Sequence, residues 1–391
     1  MHIAVFEYKI VRASPIGSCL LHMLQRLCDE HEFVVFAAEF DNPRPDRIHF
    51  VRIPTPTRPL AFLFLSYHLL AWCYYWTYHF FQQARFDLVI IVECNVSIGT
   101  MSYAHFCHRA YLTHHWSQGA PGGVRGTLRW LDHWLRAQIE PWVYKRISSI
   151  VVPSQGLADE IATEYPFTKG KIRCIPNPVD IERLRPPPSF QREDFRQGFG
   201  LHERDIVLVF VALGHFERKG LPLLLDVLAQ RSEPHVKLFV VGGEADLVDT
   251  YRSRARELGL EERIHFVGLQ HDIRPFLWAA DAFILPSAYE TFSLVAFEAA
   301  AARLPLLVTS FHGVADFFRD GEHGFLLERS LAGVSRGIAR FLAAPPHVRK
   351  EMGGRVQHAV GGYNVGMFAS TWKEYCETVT NQTVRAPLRP S

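Results

Sequence analysis

Apolar residues in this chain come in short unbroken runs, without the strict alternation of a half-exposed sheet. In the first half the runs are HIAVFEY, EFVVFAA, HFVRIP, DLVIIVE and, at 148–154, SSIVVPS. In the second half they are DIVLVFVA, VKLFVVGG, RIHFVG, DAFILPS, LPLLVTS and HGFLLE. Helix-length segments separate them, which predicts parallel strands covered by helices on both faces. Between the two series lies IPNPVDIERLRPPPSFQRED, whose prolines, three in succession at 186–188, mark a linker. The pattern therefore predicts an α/β protein of two doubly wound, Rossmann-like lobes, residues 1–177 and 178–363, joined near residues 177–190. Ligands of such sheets bind beyond the carboxyl ends of the strands, so two facing lobes predict a central cleft. The last helical stretch, NVGMFASTWKEYCETVT at 364–380, is expected to pack back on the first lobe, and the tail 381–391 to be loosely held.

The length of 391 residues also favours two domains over one core. A net charge of +2, with no basic tail and no run of like charges, gives no reason to expect a nucleic-acid partner. The seven cysteines are scattered, odd in number and without CxxC spacing, which argues for reduced thiols in a cytosolic compartment and against a zinc site. His114 and His115 are adjacent and so poorly directed to share a metal. The opening MHIAVFEYKI reads as a strand and carries no secretory signal, so the expected location is cytoplasmic.

Two segments raise the question of a membrane. LAFLFLSYHLLAWCYYWTYHFF, residues 60–81, has no Asp, Glu, Lys or Arg and is long enough to span a bilayer. Strand-like runs flank it, and a spanning helix between two strands of one sheet would tear that sheet apart. It fits a helix buried in its own domain, a helix lying at a membrane surface, or a span. VRGTLRWLDHWLRAQIEPWVYKR, residues 124–146, mixes Trp and Leu with Arg and Lys at helical spacing and fits an amphipathic helix with a solvated basic face or a membrane-surface element.

Chemistry concentrates in the second half. YETFSLVAFEAAAARLP, residues 289–305, holds Glu290 and Glu298 around an Ala-rich run of high helix propensity. Thr291 and Ser293 precede that run as N-cap candidates, and a helix start is an anion site. LGHFERKGLPLLLDVLA, residues 213–229, places Gly214 at a strand end, Arg218 and Lys219 in the turn, and Gly220 at the start of a helix. Two adjacent cations at such a turn suit a diphosphate. Each stretch taken alone fits a solvated loop or helix equally well. Together they point to a phosphate-bearing ligand at one sheet edge.

With these residues in hand, the chain resembles the family-4, group 1 glycosyltransferases of GT-B architecture. The resemblance is carried by VPSQGLADEI, IRCIPNPVDIERLRP, GHFERKG, IHFVGLQHDIRPFLWAADAFILPSAYETFSLVAFEAAAARLPLLVTS and HGVADFFRDGEHGFLLE, strongly over residues 150–330 and weakly in the first lobe. It implies a retaining, metal-independent transfer of a hexose from a nucleotide diphosphate sugar, a UDP- or GDP-sugar, to a hydroxyl of a glycan or lipid-linked acceptor. No cofactor is implied. Arg218 and Lys219 match the residues that bind the diphosphate, Glu290 the carboxylate near the donor sugar, and Glu298 the one that bonds the ribose. The N–H groups of Thr291, Phe292, Ser293 and Leu294 match the phosphate cradle, with Gly214 beside it, and Val267 to His271, including Gly268 and Leu269, match the stretch bordering the base. Gly17 stands for the glycine-rich loop of the first lobe, and His105 for a histidine directed at the transferred sugar. The chain departs from the family pattern at Ser293 and Arg303, where Gly is usual, at Pro178 for Gly, and at Asp316 for Glu. The alternatives are a catalytically silent nucleotide-sugar-binding protein and an epimerase of similar architecture. An NAD-dependent oxidoreductase would need a GxGxxG turn, which EYKIVRASPIGS lacks.

Overall fold

A computed structural model describes residues 1–56, 59–82, 85–119 and 122–385. The chain forms two compact units. The first comprises Met1–Trp116, Gly122–Pro178 and the C-terminal segment from Val365; the second comprises Ser117–Pro121 and Val179–Asn364.

The first unit is built on seven strands: β1 (His2–Phe6), β2 (Glu32–Ala37), β3 (Ile48–Arg52), β4 (Leu88–Val92), β5 (Met101–Tyr103), β6 (Ser149–Val152) and β7 (Ile172–Cys174). They pair in the order β3-β2-β1-β4-β5-β6-β7, all parallel. The second unit has six: β8 (Ile206–Val211), β9 (Val236–Val241), β10 (Ile264–Gly268), β11 (Ala282–Leu285), β12 (Leu306–Thr309) and β13 (Gly324–Leu327). Their order is β10-β9-β8-β11-β12-β13, again all parallel. In each sheet the chain begins centrally, builds one side, then crosses over and builds the other. The crossover falls between β1 and β4 in the first sheet and between β8 and β11 in the second, and ligands of doubly wound sheets bind at such switch points.

All six apolar runs of the second half become strands; the inner ones are buried on both faces, with Phe210, Phe239, Phe283 and Leu307 fully enclosed, while the edge strands β10 and β13 are partly open. In the first half, β5 and β7 escape the pattern. Each has three residues, and the polar Ser102 and Arg173 sit at their centres.

Residues 60–81 form most of helix α2 (Leu60–Gln82). One face, with Leu63, Phe64, Tyr67 and Ala71, is buried in the first unit, and Tyr67 Oη donates to the Phe36 carbonyl at 2.7 Å. Among the described residues, no helix is long and apolar enough to cross a membrane. The second aromatic segment is helix α3 (Gly123–Arg146), which packs beside α2 with the Arg136 guanidinium 4.4 Å over the Phe64 ring.

The C-terminal helix, Val365–Arg385, belongs to the first unit. Trp372 is fully buried against Tyr103, ring centroids 4.9 Å apart, and Tyr375 Oη lies 2.8 Å from Ser149 Oγ. The helix continues five residues into the stretch expected to be loose, and 386–391 lie outside the described residues.

Candidate functional site

β8 and β11 lie side by side, Leu208 beside Ala282, so the connections leaving their carboxyl ends start as neighbours. After β8 the chain makes one helical turn, Phe216–Lys219, and enters the helix Leu221–Ala229 through Gly220. Gly220 has φ 86°, and a Cβ there would meet the Pro286 carbonyl oxygen at 2.3 Å. Pro286 is the first residue after β11, so the missing side chain lets the two connections touch. Hydrogen bonds then tie them together. Ala288 N–H donates to the Arg218 carbonyl at 2.8 Å, and the Arg329 guanidinium donates to the carbonyls of Pro286 and Glu217, each at 3.3 Å.

On this frame Lys219 Nζ donates to Glu290 Oε1 at 2.7 Å, and Ser287 Oγ donates to the same oxygen at 2.9 Å. Ser287 is fixed in turn by Thr309 Oγ1, which donates to its carbonyl at 2.6 Å. The ion pair is withdrawn from water, with side chains 13% and 9% exposed for Lys219 and Glu290. Burial alone would raise the Glu290 carboxyl. Lys219, Arg218 and the hydrogen bonds from Lys219 and Ser287 outweigh it and hold the group below the usual carboxylate range. Arg218 adds positive charge beside the pair, and its Nε is buried with no hydrogen-bond partner among the described residues. The turn thus keeps a donor unspent.

Glu290 leads into helix α4 (Leu294–Ala301), which carries Glu298. Ser293 occupies the N-cap position, not Thr291, and its side chain makes no capping hydrogen bond. Its backbone is left-handed, φ 67° and ψ 70°, and among the described residues its buried Oγ has no hydrogen-bond partner. Arg303 also has φ 67°. Two of the three positions at which the resemblance calls for glycine, Ser293 and Arg303, thus have a backbone that favours it, and the chain bears the strain with side chains in place. Replacing Ser293 by Gly is expected to stabilise the protein by about 1 kcal/mol, raising Tm by roughly 2–4 °C. An unchanged or lower Tm in differential scanning calorimetry would show that the strain is compensated locally.

Glu298 is half-buried and sits differently. Burial pushes its carboxyl up to about 7, with Arg183 opposing the shift. The two glutamates of one helical approach are thus held in opposite directions, Glu290 firmly ionised and Glu298 poised near neutrality.

The remaining residues singled out in the sequence are spread along the sheet edges. Gly214 lies three residues beyond the end of β8, with open space where a Cβ would be. Phe292 is buried and stacks on Phe297, centroids 4.1 Å apart, and Leu294 is half-buried. Gly268 ends β10, two strands from β8, and its carbonyl accepts from Gly242 N–H at 2.7 Å; Leu269 and His271 follow it, both exposed.

Gly17 and His105 belong to the first unit. Gly17 is the third residue of helix α1 (Pro15–Leu27); a Cβ there would meet the Val11 backbone N and O at 2.7 Å, and its N–H donates to Ser14 Oγ at 3.2 Å. Close packing therefore explains this glycine by itself. His105 is buried just beyond β5, its Nε2 3.1 Å from Asn177 Oδ1, and burial pulls its imidazole below the usual range against the opposing pull of Glu93. Sequence reasoning passed over its neighbours. Glu7 and Glu93 follow β1 and β4 at the first sheet's own switch point, both buried. Asn95 Nδ2 donates to Glu7 Oε2 at 2.8 Å, Arg136 donates to Asn95 Oδ1 at 3.0 Å, and His108 Nε2 lies 3.2 Å from Glu93 Oε2. Burial, then the charge of Glu93, pushes Glu7 up to about 8. Acidic residues at the ends of the runs HIAVFE and DLVIIVE were the available signal. In the second unit the residues passed over are Ser287, Thr309, Arg329 and Arg183, which act through backbone and second contacts that no motif exposes.

Two parallel sheets of this strand order, the second with a cation–carboxylate pair at its switch point, define the GT-B class of glycosyltransferase folds. The crystal structure of Anabaena HepE in complex with UDP-glucose superposes with a TM-score of 0.74 at 20% identity, over 97% of this chain and all of that one. The model described as glycosyl transferases group 1 matches residues 191–357, and that described as glycosyltransferase family 4 matches residues 16–183. The chain belongs to this family, the group 1, family 4 glycosyltransferases. The mannosylfructose-phosphate synthase of Agrobacterium fabrum is 31% identical over 206 residues, 49% of this chain and 44% of the synthase. The lipopolysaccharide core biosynthesis glycosyltransferase LpsE of Rhizobium meliloti is 35% identical over 137 residues, 34% of this chain and 39% of LpsE. The match thus spans less than half the length of these two curated relatives.

Proposed function

We propose that the protein is a retaining glycosyltransferase that moves a hexose from a nucleotide diphosphate sugar to a hydroxyl of a glycan or lipid-linked acceptor. The observation that carries this reading is the buried Lys219–Glu290 pair, 2.7 Å apart, joining the two connections at the switch point of the second sheet. In the proposed step the bond between the sugar's anomeric carbon and the distal phosphate oxygen breaks, and its electron pair stays on the leaving diphosphate. Lys219, Arg218 with its unspent Nε, and the N–H groups at the start of α4 meet that developing charge. The acceptor oxygen bonds the anomeric carbon on the same face, and its proton passes to an oxygen of the departing phosphate. Glu290, held ionised by its surroundings, orients the hydroxyls of the donor sugar. Charge neutralisation by these protein cations is the basis for proposing a metal-independent reaction, and excess chelator is expected to leave the rate unchanged. A loss of rate restored by magnesium would replace that reading by a metal-assisted one.

Relatedness to LpsE favours an acceptor in cell-surface glycan assembly, with the enzyme on the cytoplasmic side and peripheral to the membrane. Donor hydrolysis measured across UDP- and GDP-hexoses, followed by transfer to glycan acceptors, tests the activity. Hydrolysis of one donor that Lys219 variants abolish supports it; absence of hydrolysis and transfer with every donor favours a silent binding protein.

Glu298 supplies a pH signature. If it bonds the ribose hydroxyls as a carboxylate, binding must ionise a group that carries its proton up to about pH 7. Nucleotide-sugar affinity is then expected to rise as pH rises through 7, about tenfold between pH 6 and pH 8. Glu298→Gln should flatten that dependence. Calorimetric Kd values independent of pH in the parent protein would remove Glu298 from the ribose.

A further inference from the structure

The most exposed apolar surface of the first unit is formed by α2 and α3. On α2, Phe62, Leu65, Leu69, Trp72 and Phe80 stand out of the molecule, with Leu69 63% and Phe80 71% exposed. Their spacing of three and four residues puts them on one helix face, opposite the buried Leu63, Phe64, Tyr67 and Ala71. Trp76 continues the stripe, its ring 6.2 Å from that of Trp72 and 5.8 Å from that of Phe80. No charged side chain interrupts this helix between Leu60 and Phe81. On the neighbouring α3, Val124, Leu128, Leu131, Trp134 and Trp142 are exposed.

Charge on α3 is sorted by side. Its two acids face inward: Asp132 bonds Arg136 at 3.2 Å, and Glu140 accepts from Tyr165 Oη at 2.6 Å and from His108 N–H at 2.7 Å. At its C-terminal end the cations Lys145 and Arg146 are exposed. Both lie over exposed aromatic rings, Lys145 Nζ 5.5 Å from the Phe167 centroid and the Arg146 guanidinium 3.7 Å from that of Trp142. Among the described residues neither pairs with a carboxylate. An uncharged aromatic stripe beside cations backed by aromatic rings is complementary to one environment, an apolar layer edged by negative headgroups.

We propose that the exposed faces of α2 and α3 dock on a lipid bilayer containing anionic lipid, the rings entering the headgroup boundary while Lys145 and Arg146 contact phosphate. A protein partner of matching shape would need an acidic rim, and a second copy would bring only the same stripe and the same cations. This deepens the peripheral placement proposed above, and its test reads membrane binding separately from nucleotide binding, so either can fail alone.

The test uses the full chain with sedimented vesicles of phosphatidylcholine alone or with three-tenths phosphatidylglycerol. The expected result is binding to the anionic vesicles that weakens in 0.5 M salt and blue-shifts tryptophan emission. Lys145→Ala with Arg146→Ala should lower that partition at least tenfold, at roughly fivefold per cation. Phe62→Glu with Leu69→Glu should remove binding to both vesicle types, with Tm and UDP or GDP affinity as controls for folding. Failure of the parent to bind either vesicle would overturn the proposal. So would parent-like binding by the Phe62/Leu69 variant, and so would self-association that this variant abolishes without any vesicle binding, which would assign the stripe to a second copy.

Discussion

Substitution of Lys219 by Met is expected to weaken binding of the nucleoside diphosphate, UDP or GDP, by about 10²–10³-fold. Two losses add. The cation that faces the diphosphate is gone, and Glu290 loses its first counter-charge while remaining buried. The variant also carries a signature independent of any ligand. In the parent, the Glu290 carboxyl lies below its unfolded value near 4.5, so the pair contributes stability above that pH and loses it on acidification. Without Lys219, only Arg218 and the Ser287 hydrogen bond oppose burial, so the carboxyl is expected to rise and the stability gained above its unfolded value shrinks. The Tm deficit of the variant should therefore grow between pH 4 and pH 7. A deficit that shrinks over that range would mean the buried pair is not the interaction that counts.

Glu290→Gln is expected to separate binding from chemistry. The amide can still bond Lys219 and Ser287, so the site keeps its shape while the carboxylate that orients the donor sugar disappears. Turnover should fall about 10²–10³-fold, the scale set by misplacing a reacting group. Affinity for the free nucleoside diphosphate, which has no sugar to orient, should stay the same or improve, because Lys219 is released from its ion pair. Diphosphate affinity therefore falls in Lys219→Met and does not fall in Glu290→Gln. A merely structural pair would lower both affinities together with Tm.

Much of this was readable in the residues, and the exceptions have physical causes. The six runs of the second half are long and mostly buried, and the inner ones are covered on both faces, so apolar continuity identified every strand of that sheet. The three-residue strands β5 and β7 carry too few side chains to form a pattern. Lys219 and Glu290 lie 71 positions apart in sequence and meet because β8 and β11 are neighbours, a fact of topology that their motifs anticipate only through family resemblance. Ser287 and Thr309 support the pair through one hydroxyl each and leave no motif. Ser293 and Arg303 looked like simple departures from glycine in the sequence, whereas the backbone shows that they retain the glycine conformation at a cost. The first-lobe resemblance, weak in motifs, was extended by the family match over residues 16–183, and the buried Glu7–Asn95–Arg136 network there had no counterpart in the motifs at all.

The most direct measurement is a calorimetric titration of UDP and GDP into the parent protein, Lys219→Met and Glu290→Gln, at one pH and ionic strength. A diphosphate seated between the arginine–lysine turn and the start of α4 should bind the parent, bind Glu290→Gln at least as tightly, and bind Lys219→Met at least a hundredfold more weakly. Equal affinity in the parent and Lys219→Met, with both variants folded, would mean the pyrophosphate lies elsewhere.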